Sequence, residues 1–265
     1  MIINFFIRKN LLIFVLSLVL LTNSCNHYKI NPKHLEYHKN IHAIVVIDPG
    51  HGGKDSGAVA RSGLMEKEVT LDVALYIKKI LNIIAPNIKV VLTRTNDTYV
   101  SLEERIKIAH QNKAQIFLSI HVNSSDNSSS SGFEVYSLDV ANNKHSAKLA
   151  ARENKSFDNE KNKVKFILAD LRANANRKQS DKLAHNLLYG IQRQINKSSA
   201  KLNAKDRGYN QALFHVLFVK MPAVLAEMFF ISNPKEEKLL RKSSFRIACA
   251  KGLSLGIINY LKNKK

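Results

Sequence analysis

Tryptophan is absent from this sequence, and cysteine nearly so: Cys25 and Cys249 are the only thiols in 265 residues. Two cysteines, of which Cys25 is read below as lipid-bearing, leave no disulfide framework. They also exclude a Cys-rich zinc site, so any metal must be held by histidines and carboxylates. Acidic residues are scarce as well. The 21 Asp+Glu against 41 Lys+Arg leave a net charge of +20, a balance that favours anionic partners such as nucleic acid, acidic lipid or an acidic polymer. Nucleic acid is set aside. Lysine, at 30 residues, far outnumbers arginine at 11, and aromatic residues do not interleave with basic ones as stacking platforms do. The lysine excess reads first as a solvated surface. Material for a core is not lacking. A hydrophobic content of 45% supports one large domain or two small ones.

The N-terminus reads as an address. Arg8 and Lys9 precede an almost unbroken apolar run at residues 11–21. It is too short to span a bilayer comfortably and suits a signal-peptide core. Thr22-Asn23-Ser24-Cys25 follows. This resembles a bacterial lipoprotein cleavage site, with Cys25 as the lipid-bearing residue, although Thr22 stands where leucine is usual. Residues 1–25 are therefore expected to be a signal peptide, 26–41 a polar linker, and 42–265 the folded domain, working in the periplasm on a membrane surface. Cys249 lies in an apolar stretch at helical spacing and is expected to be a buried structural thiol.

Beyond the linker, strand and helix patterns alternate. Strands are expected near residues 44–47, 89–93, 115–122, 132–138, 213–217 and 223–228. Helices are expected near 68–84, 102–112, 140–154, 179–195, 234–240 and 243–261, with Ser101 and Glu104 as a capping box for the second. Pro86 stops the first. The alternation predicts a single α/β domain, a mostly parallel twisted sheet of about six strands with helices on both faces. Residues 151–177 look inserted.

The chain is organised around residues 44–57, IVVIDPGHGGKDSG. A β-branched run breaks at Asp48-Pro49-Gly50, and His51 stands among glycines at the strand's carboxyl end, where open α/β sheets place ligands. A second buried strand ends in His121. Glu227 sits within the apolar VLAEMFF, where an ionised carboxylate needs a metal, a partner or a shifted pKa. Glu66 falls where the first helix begins, a position the helix dipole alone would explain. The carboxyl ends of neighbouring parallel strands converge, so these four can meet. Two histidines and one carboxylate suit a catalytic zinc, and a second carboxylate can handle a proton beside it.

Taken together, IDPGHGGKDSGA at 47–58, LMEKEV around Glu66, Thr93-Arg94, SIHVN at 119–123, and MPAVLAE with SNP at 221–234 resemble the zinc-dependent N-acetylmuramoyl-L-alanine amidases of bacterial cell-wall remodelling. The resemblance runs in order from about residue 43 to the C-terminus. It implies an α/β fold and hydrolysis of the amide between the lactyl group of N-acetylmuramic acid and L-alanine in peptidoglycan, in the service of daughter-cell separation. It implies that His51, Glu66 and His121 bind Zn2+ and that Glu227 is the catalytic glutamate. The sequence departs at Phe229, where the family has a small residue, often glycine; the ring either reshapes the groove or faces the core.

The inserted stretch resembles one that, in cell-division amidases, forms a helix over the zinc until an activator protein withdraws it. Val164, Phe166, Ile167, Leu168 and Leu171 form an apolar patch suited to docking. Glu153, Asp158 or Glu160 could supply a carboxylate to the open metal position, and the sequence does not choose among them. Two alternatives share much of this pattern: a zinc carboxypeptidase acting on stem peptides, and a lipid-anchored wall-binding protein without catalysis.

Overall fold

The computed structural model describes residues 38–155, 163–198 and 204–264, with side chains of the long helix described from residue 176 onward. The expected leader, Cys25 and most of the expected linker lie outside the described residues.

β1 (Ala43–Pro49) is buried at every position but Ile44, as its unbroken apolar run requires. α1 (Glu66–Ile84) starts two residues earlier than its periodicity alone suggested, so Glu66 is its first residue, and it buries Val69, Val73, Ile77, Ile80 and Ile84. β2 (Ile88–Leu92) follows, then α2 (Leu102–Gln111), where the Glu104 N–H donates to Ser101 Oγ at 3.2 Å as the capping pattern predicts. β3 (Ile116–Asn123) and β4 (Phe133–Leu138) are buried throughout. α3 (Lys144–Glu153), α4 (Lys163–Ser198) and β5 (Asp206–Ala212) come next. β6 (Ala223–Phe230), α5 (Pro234–Leu240) and α6 (Ser243–Lys262) close the chain.

Among the described residues the sheet has six strands in the order β2-β1-β3-β6-β4-β5. β1, β2, β3 and β6 run parallel; β4 is antiparallel to β6 and parallel to β5. Val46, Phe117, Tyr136 and Leu225 face a layer containing Ala109 of α2 and Leu149 of α3. On the other side α1 packs on β1 and β3, α4 on β4, and α6 against both helices. Cys249 is buried, and burial pushes its thiol up to about 12, as befits an inert core residue. No described helix is long and apolar enough to cross a membrane.

One strand differs from expectation. Residues 213–217 form no strand; His215–Leu217 is a single 3-10 turn whose apolar side chains fill the core. The sixth strand is instead β5, reading DRGYNQA, a polar edge strand with Gly208 at φ 84°. Only Ala212 of β5 is buried, so a hydrophobicity pattern passes over this strand, whereas β2 at the opposite edge buries three residues and was expected.

The sheet's central order brings the carboxyl ends of β1, β3 and β6 side by side. Just beyond β6, the buried Glu236 of α5 accepts the N–H of Gly132 at 2.8 Å and of Phe230 at 2.7 Å, tying the start of β4 to the end of β6. Burial pushes its carboxyl up to about 7 from the ordinary 4.5 despite those bonds. The folded chain thus keeps a proton that the unfolded chain releases near 4.5. The stability so conferred is full below that value and is lost as pH rises through about 7, an effect on the order of 2–3 kcal/mol. A Glu236→Gln chain should lack this part of the decline between about pH 5 and about pH 8, measured by urea midpoints, and an unaltered decline would contradict the assignment.

Candidate metal centre at the strand ends

His51, Glu66 and His121 meet at the edge where β1 and β3 end. One ligand atom from each lies within 4.8 Å of the others. Glu66 Oε1 is 3.2 Å from His51 Nε2 and 3.1 Å from His121 Nδ1, and the two rings stand edge to face with centroids 4.8 Å apart. The backbone allows this closeness at two glycines. A Cβ on Gly50 would lie 2.5 Å from the His121 ring, and one on Gly57 would lie 2.6 Å from His51 and 2.7 Å from Glu66 Oε2. Glu66 is further fixed by the N–H of Val122 at 2.8 Å and of Ala58 at 2.9 Å.

Asp55 holds the remaining His51 nitrogen, its Oδ2 lying 2.9 Å from Nδ1. A carboxylate behind a histidine orients the ring and leaves Nε2 to face the cluster. Sequence reasoning gave Asp55 no role; its place four residues after His51 in the same glycine-rich loop was the available signal. Among the described residues, His51 Nε2 is buried without a well-aligned hydrogen bond, and neither oxygen of Glu227 has a partner. Glu227 stands directly across the sheet from His121.

Charge explains the protonation of each group. Burial would raise the Glu66 carboxyl, but the His51 charge and both imidazole contacts hold it well below the ordinary value. Burial would lower the His51 imidazole, but Glu66, Asp55 and Glu153 hold it far above. Burial and the Glu66 charge push Glu227 well up, against the pull of Arg152. A dry site with this much carboxylate attracts a cation, and two imidazoles with a carboxylate match the donors that a zinc-type ion takes. The residues fit such a group.

Of the three carboxylates that the sequence left open, Glu153 is in the site; Asp158 and Glu160 lie outside the described residues, as do the side chains of the apolar patch at residues 164–171. Glu153 Oε2 is 3.4 Å from His51 Nε2 and 3.3 Å from His121 Nδ1. It comes from the last residue of α3. Arg152 beside it bonds Glu153 Oε1 through Nε at 2.8 Å and the Ser124 carbonyl through Nη1 at 3.0 Å. Next to it Asn154 donates to the Leu213 carbonyl at 2.7 Å and accepts the His215 N–H at 2.9 Å. The cluster opens into a groove of about 850 Å³ whose walls include Lys54, Val59, Tyr99, Arg152 and Lys155.

The sequence pattern of a family described as N-acetylmuramoyl-L-alanine amidase matches residues 45–259. N-acetylmuramoyl-L-alanine amidase AmiA of Escherichia coli K12 is 35% identical over 229 residues, a match spanning 82% of this chain and 75% of AmiA. Among solved structures, the amidase AmiC2 of Nostoc punctiforme superposes with a TM-score of 0.63 at 30% identity, covering 83% of this chain and 98% of that one. The catalytic domain of the amidase CwlV from Bacillus (Paenibacillus) polymyxa var. colistinus does so with a TM-score of 0.58 at 34% identity, with the same coverage of 83% and 98%.

Phe229 faces the core, which decides between the two expectations raised by its bulk. Its ring packs on Phe133 and Phe245 at 5.7 and 4.9 Å between centroids. The register passes from His121 opposite Glu227 to Asn123 opposite Phe230, so β6 carries one extra residue, and Phe229 adopts φ 66° there. A left-handed bulge explains why a small residue suits this position. Phe229→Gly relieves about 1–2 kcal/mol of strain and forfeits about 3–5 kcal/mol of ring burial. The variant should therefore be less stable by roughly 2–3 kcal/mol in urea unfolding, and a chain as stable as the parent would refute this balance.

Proposed function

The chain belongs to the N-acetylmuramoyl-L-alanine amidase family, and from that premise we propose that it hydrolyses, with one zinc ion, the amide joining the lactyl group of N-acetylmuramic acid to the L-alanine of the peptidoglycan stem peptide. The observation that carries this reading is the meeting of His51, Glu66 and His121 beside a buried Glu227 whose two oxygens have no partner among the described residues. His51, Glu66 and His121 would hold the ion. When bound, zinc supplies Lewis acidity, acidifying water and polarising a carbonyl.

Glu227 does the proton work. Its carboxyl is pushed up by burial and by the Glu66 charge, which makes its carboxylate a stronger base than an exposed glutamate. It takes a proton from the attacking water at one oxygen and passes it to the leaving amine of L-alanine. Asp55 keeps the His51 ring in orientation through Nδ1. The groove walls, with Tyr99 and Val59 among cationic Lys54 and Lys155, offer contact surface to a peptide with carboxylates.

The same reading takes the described arrangement as a blocked one. Glu153 stands between the two imidazoles and Arg152 and Asn154 pin its backbone. Substrate would meet the site once this segment is withdrawn by an activator protein. The reading extends to daughter-cell separation, and to a periplasmic enzyme tethered by lipid at Cys25; for the tether, the N-terminal sequence is the support.

Two variants test the roles. Glu227→Gln should retain zinc, measured by metal analysis, and lose about 10²- to 10⁴-fold in dye release from labelled peptidoglycan; substantial residual turnover would remove Glu227 from the mechanism. Product analysis separates this activity from a carboxypeptidase, since an amidase leaves a muramic lactyl acid and a carboxypeptidase releases an amino acid. Glu153→Ala should raise basal turnover roughly 5- to 100-fold without an activator. An unchanged basal rate would end the blocking role.

A further inference from the structure

Three successive carbonyls, of Pro49, Gly50 and His51, converge on a pair of guanidinium groups. Arg94 donates from Nε to Pro49 at 3.0 Å and from Nη2 to Gly50 at 2.8 Å. Arg105 donates from Nη1 to Pro49 at 2.7 Å and from Nη2 to His51 at 2.8 Å. Both side chains are buried and anchored from behind. Arg94 also reaches the Lys67 carbonyl at 2.9 Å and Thr70 Oγ1 at 3.1 Å, both on α1. Arg105 pairs with Asp48 Oδ1 at 2.6 Å and donates to the Val100 carbonyl at 2.9 Å. Asp48 is held in turn by the hydroxyls of Thr93 and Ser119.

The backbone at this point is bent against its preference. The Gly50 N–H still donates to Ile120 at 2.9 Å, and then the ladder ends and His51 adopts φ 60°. A non-glycine residue in the left-handed region persists only where its surroundings over-determine it. Few groups can bind adjacent carbonyls on one side of a chain. The guanidinium fork can, because its donors are fixed in a plane, whereas an ammonium is a compact point charge on a flexible stem.

We propose that Arg94 and Arg105 are positioning residues for the metal centre: together they hold the carbonyls of residues 49–51 and so present His51 Nε2 to Glu66 and His121. The inference rests on the reading of His51 as a metal ligand. Neither arginine touches the cluster of ligand atoms; they act through the backbone that carries one of them.

The test compares Arg105→Lys and Arg94→Lys in the full chain, each keeping its charge so that Asp48 retains a cation nearby. Zinc affinity is measured with chelator-buffered Zn2+, thermal unfolding of the metal-free chain is followed in parallel, and the visible spectrum of bound Co2+ reports ligand geometry. Arg246→Lys is the control. Arg246 is also mostly buried and pairs with Asp72 and the Leu240 carbonyl instead of the carbonyls of residues 49–51. Either lysine variant should fold, bind zinc about 10- to 100-fold more weakly and alter the Co2+ spectrum, while Arg246→Lys binds zinc like the parent. Parental zinc affinity and an unchanged spectrum in both folded variants overturn the proposal while leaving the metal centre intact. A parent chain that binds zinc no better than His51→Ala overturns it together with the reading beneath it. Loss of folding in both lysine variants also overturns it, since the pair then serves folding alone.

Discussion

Uncompensated negative charge in a dry crevice is the constraint on which this structure turns. Glu66, Glu153 and Glu227 are buried around two imidazoles, and Asp55 presses on one of these from behind. Carboxylates removed from water must be protonated, paired or bound to a cation. Each solution is present in part. Glu66 and Glu153 both borrow charge from the histidines, and Glu227 is driven towards its neutral form. A metal cation would answer all three demands at once.

The parallel sheet is what makes the crevice possible, and it was legible. β1 and β3 announce themselves as uninterrupted apolar runs, and a run of that kind is affordable only where helices cover both faces. His51, His121 and Glu227 stand out as candidates because each interrupts or ends such a run, and Glu66 because it opens the following helix. The same rule failed at the far edge. β5 carries Asp206, Arg207, Asn210 and Gln211, with no continuous apolar face to mark it, while the apolar residues just after it pack into the core as a turn. Hydrophobicity reports burial, and it marks the edge strand β2, with three of five residues buried, while it passes over β5, which buries only Ala212.

The finer machinery was less legible because it consists of polar residues acting at a distance in sequence. Asp48 reads as a turn former before proline, and Arg105 as one charge among several on an amphipathic helix. Only their arrival at the same buried point, across 57 residues of chain, shows that they belong together. Thr93 and Arg94 were noticed as a motif without a task. Phe229 was noticed as a departure, and its left-handed backbone supplies the reason: the constraint is on φ, and the aromatic cluster of Phe133 and Phe245 makes a large side chain tolerable.

Asn154 ties the end of α3 to a second part of the fold. Its side chain grips both the Leu213 carbonyl and the His215 N–H, one residue beyond the glutamate that sits between the imidazoles. The connection leading from β5 to β6 and the carboxylate in the crevice are therefore joined by a single rigid link. Linkage is reciprocal. If Glu153 acts as the proposed block, a ligand that favours a different conformation of residues 213–215 would pull on it without entering the groove, and withdrawal of Glu153 would in turn loosen that connection.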